Sequence, residues 1–451
     1  MNKIFVFIVV VILSFVFIYA FSSSYSSHTI DNIAYVIAIG IDEADIDDNL
    51  KVTFEFINIS SFSEKGSSED YAPILEQVTA PSINSAVDIM NAYMGKQINL
   101  SHCKVIVFSE SLARKGILNE ISELINDKQV RGTTDIVITD SDSKEYLKNS
   151  ISSLEKTVTK YYNIFGKSSS YTGYTSNISL GNFYEAMIAD EAGSVAIHGK
   201  ILPSSQNSKS SESNNSSQNS NDNDSKGATS NDTNSNTSSS ESNTLNSNDS
   251  TQNNSDSNSN NTSLLEDSIV GDKGVENSGL ALFKENKLID YLNSEEALCY
   301  SMISNKINNF YITIDNPFGD GELIDLSFSM NHNSRIKIDT STDTPIINVS
   351  FSLDNKILNI LENVDYNDPK NLKAISEASS KYLEDIISKY LYRCSKELDC
   401  DINSFYKSAK GNFLNNNSWK AYNWKDKFKN SVFNVHVEST IIPNLIVSEN
   451  K

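Results

Sequence analysis

Cysteine is scarce: the chain of 451 residues has four, Cys103, Cys299, Cys394 and Cys400. So few and so spread, they exclude a disulfide-framed fold. No CxxC pair is present, which excludes a zinc ribbon. Cys394 and Cys400 are near enough for an oxidising compartment to join them, but they read most simply as two cysteines on a helix face. Positive charge is the next deficit. Lys and Arg number 37 against 58 Asp and Glu, a formal net charge of −21, with a pI near 4.7. A nucleic-acid binder needs a basic patch, so that class is excluded. Electrostatic adhesion to anionic lipid headgroups is excluded for the same reason. Any membrane attachment is left to apolar contact or to a protein partner.

Catalytic signatures are lacking as well. Neither GxGxxG nor a P-loop pattern occurs; either one would cradle phosphates on backbone N–H groups. HExxH and GxSxG are also missing. The five histidines, His28, His102, His198, His332 and His436, lie far apart in the sequence and read as isolated surface or core residues. The acidic turn Asp42–Asn49 has the oxygen ligands a hard cation such as calcium takes, but not the Gly and closing Glu of an EF-hand. A solvated hairpin tip is the simpler reading. Asp315, Asp320 and Asp325 surround a turn at Phe318–Gly321, and no carboxylate pair has a spacing suited to general acid–base work. The expectation is a binding or assembly protein, not an enzyme, with no catalytic, cofactor-binding or metal-binding residues.

What is present begins at the N-terminus. Ile4–Phe21 is an uncharged apolar run, at the short end of what spans a bilayer. Lys3 precedes it, so the positive-inside bias places the bulk of the chain outside the cytoplasm. Ala20-Phe21-Ser22 is a passable cleavage site for a signal peptide. The run is longer than most signal cores, which favours a retained anchor.

Beyond it the expected units are 1–21 as anchor or signal, 28–201 as an N-terminal α/β region, 204–275 as a disordered insert, and 276–451 as a C-terminal mixed α/β domain. In the first region Asn32–Ile41 and Leu50–Ile59 are predicted strands. Apolar spacing predicts a helix over Ile83–Met94 capped by Ser82. Cys103–Phe108 and Asp135–Thr139 are predicted strands, and Ser111–Lys115, Ile117–Ile125, Ser143–Asn149, Ser152–Phe165 and Leu180–Ala189 are predicted helices. Strand and helix alternate, which favours an α/β layer. Ser204–Ser263 is almost entirely Ser, Asn, Asp, Gln and Thr. It has too little apolar surface to offset the entropy of ordering its backbone, so a hydrated tether is expected. The second region offers a hairpin over Gly279–Phe283 and Lys287–Leu292, a helix over Ser294–Ile307, strands at Tyr311–Ile314, Leu323–Met330, Ser334–Ile338 and Ile346–Leu353, a long helix over Asn371–Leu398, and a closing strand at Ser431–Thr440. The fold class is therefore α+β or mixed α/β: a multi-domain ectodomain of mixed sheets packed with helices, an N-terminal membrane helix and one long disordered insert.

This order of segments resembles the Ger(x)C family, the C subunits of bacterial spore nutrient-germinant receptors. Ala38–Asp42 (AIGID) is similar to the strand ending that follows the export signal in that family. Leu100–Glu110 (LSHCKVIVFSE) and Leu112–Ile117 (LARKGI) resemble its next two segments, and Arg131 falls where a further family arginine is expected. Gly279–Lys284 with Lys287-Leu288 resembles a segment of the second half, with Asp290 where a glycine is usual. Trp419 and Trp424 resemble a tryptophan pair near the family's C-terminus. The resemblance implies a non-enzymatic receptor subunit of three-domain α/β architecture at the inner spore membrane. It would work beside an A subunit and a transporter-like B subunit and meet the small nutrient only indirectly. It implies no catalytic residues, and His102 is read as structural, bonded to neighbouring backbone. Family members typically carry a lipid on a Cys just after the signal. No Cys precedes Cys103, so Ile4–Phe21 is expected to replace the lipid as anchor. The other reading of the same residues is an exported solute-binding or adhesion protein tethered to the membrane.

Overall fold

The computed structural model describes residues 32–46, 49–57, 74–150, 158–202, 274–319, 321–359, 361 and 364–442, together with 5, 7 and 11–14. The Ser/Asn tract, His28, Asp320 and most of Ile4–Phe21 lie outside these residues. No helix among the described residues is long and apolar enough to cross a membrane.

The first sheet starts with an antiparallel hairpin, β1 (Ile33–Glu43) and β2 (Leu50–Phe56), extended by β3 (Ile74–Ala80). Helix α1 (Ile83–Met94) follows, with Ser82 as N-cap accepting from Ser85 N–H. The short β4 (Gln97–Asn99) pairs with the start of β1. Strands β5 (Val105–Ser109), β6 (Asp135–Thr139) and β7 (Gly193–Ile201) then run parallel to β1. Between them lie α2 (Glu110–Lys115), α3 (Leu118–Asn126), α4 (Ser143–Asn149), α5 (Val158–Thr172) and α6 (Leu180–Met187). The antiparallel β8 (Val275–Lys284) and β9 (Lys287–Leu292) complete the order β3-β2-β1-β5-β6-β7-β8-β9. The sheet thus spans the polar tract, because β8 and β9 come from its C-terminal side.

Parallel strands are buried on both faces, which is why β1, β5 and β6 are almost wholly apolar. Ile83, Ile121 and Phe183 cover one face, in a core shared with the second half of the chain. Tyr146, Leu147 and Tyr162 of α4 and α5 cover Ile37, Val105 and Val137 on the other. The AIGID segment sits at the second interface. Gly40 lets α4 approach, since a Cβ there would lie 2.4 Å from Ser143 Oγ. Two residues on, the buried Asp42 carboxylate accepts from Ser143 N–H at 2.8 Å and Ser143 O–H at 2.5 Å. Gly40→Ala is expected to cost about 1–3 kcal/mol, the range for overpacking a close contact. A urea midpoint equal to that of the parent protein would contradict this docking role.

The second half begins with α7 (Ser294–Ile303). Strands β10 (Asn309–Asp315), β11 (Leu323–Met330), β12 (Arg335–Asp339) and β13 (Ile346–Ile357) form an antiparallel sheet. The long α8 (Pro369–Tyr392) buries Ile375, Leu383, Ile387 and Leu391, then widens into a π-helical turn at Arg393–Glu397. Three short helices, α9 (Phe405–Lys410), α10 (Asn416–Tyr422) and α11 (Trp424–Phe428), lead to β14 (Val432–Ile441). β14 lies parallel to β13 and beneath α8.

The mixed α/β class read from the sequence is the one observed. β3, β4 and β7 are additions. β3 is a half-exposed edge strand whose Glu76 and Gln77 mask its pattern, β4 is only three residues long, and Gly193, Ser194, His198 and Gly199 interrupt β7. The helix expected to reach Leu398 is α-helical to Tyr392 and continues as a π-helical turn to Glu397. Helices α9 to α11 are too short to show a helical period.

Candidate functional site

Among the described residues, sheet geometry places a buried polar group without a partner beside a cavity. β7 and β8 are antiparallel, and Lys200 and Glu276 face each other directly across them. The register slips between Ile197 and Gly199, a β-bulge of the kind that re-aims side chains. Gly279 makes the bulge possible. Its φ is +80°, and a Cβ would strike the Leu292 carbonyl at 2.3 Å. His198 sits opposite the bulge and stacks on Tyr291 of β9, with ring centroids 4.0 Å apart. The imidazole is 6% exposed. Its Nε2 has no hydrogen-bond partner among the described residues, whereas the Tyr291 hydroxyl meets the Glu110 carboxylate. Burial, aided by the Lys200 charge, pushes the pKa of His198 down to about 3, so the ring is neutral at physiological pH.

The far wall comes from the second half of the chain. Asn293 caps α7, accepting from Glu296 N–H, while the Glu296 carboxylate accepts from Asn293 N–H, both at 2.9 Å. Arg393, first residue of the π-helical turn, binds Glu296, Asp290 at 2.7 Å and the Tyr291 carbonyl at 3.2 Å. The Ser278 and Ser294 hydroxyls meet at 2.6 Å. The cavity is half open to solvent and has a volume of about 340 Å³. Lys200 and Glu276 border it, and the Lys200 charge lies near enough to Asp140 to favour its carboxylate. The lining therefore holds two cations, Lys200 and Arg393, two anions, Glu276 and Glu296, and the neutral His198 imidazole.

The residues singled out from the sequence fall elsewhere, except His198. His102 is exposed and meets Tyr35 edge-on at 4.9 Å. Facing solvent, it makes no side-chain bond to backbone among the described residues, contrary to expectation. His332 is exposed, and His436 lies 3.4 Å from Glu384. In the acidic turn Asp42 binds Ser143, Glu43 binds Lys115 and Asp45 binds Lys51. Asp325 accepts from the Thr313 hydroxyl. No group of three metal-binding side chains gathers among the described residues. All four cysteines are free and buried, and burial pushes Cys103 and Cys400 up to about 12. Cys400 lies beyond the helix it was expected to share with Cys394.

Residues read from the family resemblance have structural partners. Ile117 N–H, in the LARKGI segment, donates to Asn286 at the tip of the β8–β9 hairpin. Trp419 donates to Glu191 at 3.0 Å and Trp424 to Asp401 at 3.1 Å. Asp290, where that family usually has glycine, is a partner of Arg393. Lys200, Glu276, Tyr291 and Arg393 were not anticipated. The signal nearest to them was the His-x-Lys spacing at the end of β7, which places both side chains on one face.

Comparison with known proteins agrees with the order of segments. A family model described as the spore germination protein N-terminal domain matches residues 26–200. One described as spore germination B3/GerAC like, C-terminal, matches residues 278–443. No curated protein matches. A solved structure described as the crystal structure of the GerBC protein is similar with a TM-score of 0.49 and 12% identity, covering 90% of this chain and 97% of that one. The two family models flank the polar tract and together take in most of the sequence: the chain belongs to the GerAC-like family of spore germination proteins.

Proposed function

We propose that the chain is the C subunit of a spore nutrient-germinant receptor, working without catalysis beside A and B subunits. The observation that supports this reading is the use to which the family-like residues are put. Gly40 and Asp42 dock α4, Gly279 makes a bulge, and the tryptophan pair binds Glu191 and Asp401. A signature made of packing and docking residues suits a subunit that presents a shaped surface to partners, whereas an enzyme's signature gathers reacting groups. In this reading the protein sits at the inner spore membrane with its bulk outside the cytoplasm, held by Ile4–Phe21 as an uncleaved helix.

A deletion strain is expected to lose its response to one class of nutrient while growing normally. A tagged copy is expected to co-purify from spore membranes with A-like and B-like subunits, and its N-terminal sequence to begin at Met1 or Asn2. Normal germination of the deletion strain on every nutrient would refute the receptor role. An N-terminus near Ser22 would refute the anchor alone.

A further inference from the structure

We propose that the free edge of β3 is a docking site for an extended segment of a partner protein, which pairs with β3 as a further strand and carries a Lys or Arg on the face turned to α1. The inference rests on the edge itself and stands whether or not the receptor reading does.

An edge strand presents a row of unpaired N–H and C=O groups, and folded proteins cover such rows or guard them with lysine, proline or a bulge. Among the described residues the other edges of both sheets are covered. Ile98 N–H of β4 donates to Asn91 at 2.7 Å. On β9 the Tyr291 carbonyl accepts from Arg393 at 3.2 Å, and on β12 the Ile338 carbonyl accepts from Asn412 at 2.9 Å. On β14 Val437 N–H donates to Glu384 at 2.9 Å and Ser439 N–H to Ser380 at 3.2 Å. Helix α5 packs against β10. β3 is different. It pairs with β2 along its whole length without a bulge, and it holds no Lys and no Pro. Among the described residues no group bonds the backbone on its outer side. Strand addition to such an edge takes its affinity from main-chain bonds and its specificity from alternate side chains.

The charges beside the edge select the occupant. Val78 packs on the α1 face of the sheet and Leu75 on the α4 face, so Glu76, two residues from Val78, is turned to α1. Glu76 is the only charged residue of β3 and Asp88 the only one of α1. Neither forms an ion pair among the described residues. Lys51, opposite Thr79, is held by Asp45 at 2.8 Å, and Lys96 lies past the C-cap Gly95. Asn91 bonds β4 from one flank of α1. Ile89 and Tyr93 lie on the other flank, away from β4, and both are exposed. An apolar flank beside two carboxylates fits a Lys or Arg, whose alkyl stem covers apolar surface while its head meets the anion. The α4 face sets no sign, because Lys144 and Lys148 are joined there by Glu145, which meets Lys148 at 3.4 Å. A second copy of this chain is the poorer occupant. In the fully overlapped antiparallel register, centred on Gln77, Glu76 lies diagonal to its own copy, and like charges so placed repel.

The test is hydrogen exchange of the full-length chain in detergent, read at the β3 amides that do not pair with β2. The probe is the peptide acetyl-Thr-Lys-Thr-Lys-Thr-Lys-Thr-amide. One control has Glu in place of Lys, and the other is the Lys peptide methylated at every backbone nitrogen, which cannot donate to a strand. The Lys peptide is expected to slow exchange at these amides about tenfold at ~10 times its Kd, and neither control to do so. Glu76→Lys with Asp88→Lys reverses the charge beside the edge. The double variant is expected to keep the parent's unfolding temperature and to prefer the Glu peptide by about tenfold or more. The proposal is overturned if the Lys peptide leaves these amides unprotected, if the methylated peptide protects them equally, or if the preference is not reversed. It is overturned as well if the amides are protected before any peptide is added. Protection lost on dilution would put a second copy on the edge, and protection kept on dilution would put residues 58–73 of the same chain there.

Discussion

Replacing Trp424 with alanine is expected to lower the unfolding free energy by about 4 kcal/mol, the middle of the range for a buried large aromatic. Trp424 is 2% exposed. Its ring stacks on Trp419 at 6.0 Å and lies 5.8 Å from Phe428, so alanine leaves a cavity that neighbouring rings cannot fill. The indole also donates to Asp401. That carboxylate is buried and takes the N–H groups of Phe405 and Tyr406 at 2.9 and 2.8 Å, anchoring the start of α9. Burial outweighs these donors and raises its pKa to about 7. Trp424→Phe separates the two contributions. It keeps most of the ring packing and loses the donor, so a smaller cost of about 1–2 kcal/mol is expected at pH 7. Without the indole N–H, the Asp401 pKa rises further. The deficit of the Phe variant therefore grows as pH rises through about 7, where the parent carboxylate ionises and the variant's lags behind. Urea unfolding reports both effects as shifts of midpoint at constant slope. An alanine variant within about 1 kcal/mol of the parent would show that the aromatic cluster is not part of the cooperative core.

The other large effect is on pH dependence. Glu55 lies in β2 with no exposure at all. The Tyr162 hydroxyl donates to its Oε2 at 2.9 Å, and Oε1 has no partner. Burial, opposed only by that one bond, raises the carboxyl from an ordinary 4.5 to about 8. Between those values the folded chain holds a proton that the unfolded chain has released. Stability from this group is complete below pH 4.5, falls with rising pH by about 1.4 kcal/mol per unit, and is gone above about 8. Glu55→Gln cannot ionise and removes the slope. The variant is expected to resemble the parent near pH 5 and to be more stable by several kcal/mol at about pH 9. Asp135 and Asp401, both raised to about 7 by burial, titrate in both proteins, so the difference between the two curves isolates Glu55. A difference that stayed constant across this range would mean that the carboxyl is solvated.

Legibility tracked how local the cause of each element is. β6 and α4 were read with the bounds they have, because a run of Ile and Val flanked by polar residues, or an Asp at an N-cap, is decided by neighbours in sequence. β7 was missed because its burial comes from elements far along the chain, and β3 because it is a half-exposed edge strand with polar residues in its middle. At β7 the apolar run is interrupted by the very residues, His198 and Lys200, that make it interesting. Glu55 hid for a related reason. In a strand with one solvated face a Glu reads as the polar side of the alternation, but α5 covers that face.

The sequence by itself determined the acidic, cysteine-poor character of the chain, the alternation that yields a parallel sheet, and the ordered segments that mark its family. These are properties of composition and short-range pattern, which the chain carries before it folds. Only the tertiary structure decided that the sheet continues past the polar tract, that Lys200 faces Glu276, and that Arg393 at the end of a long helix closes a wall around His198. Register between strands far apart in sequence is set by the packing of whole faces and by a bulge at one glycine, so no local pattern could place those side chains around one cavity.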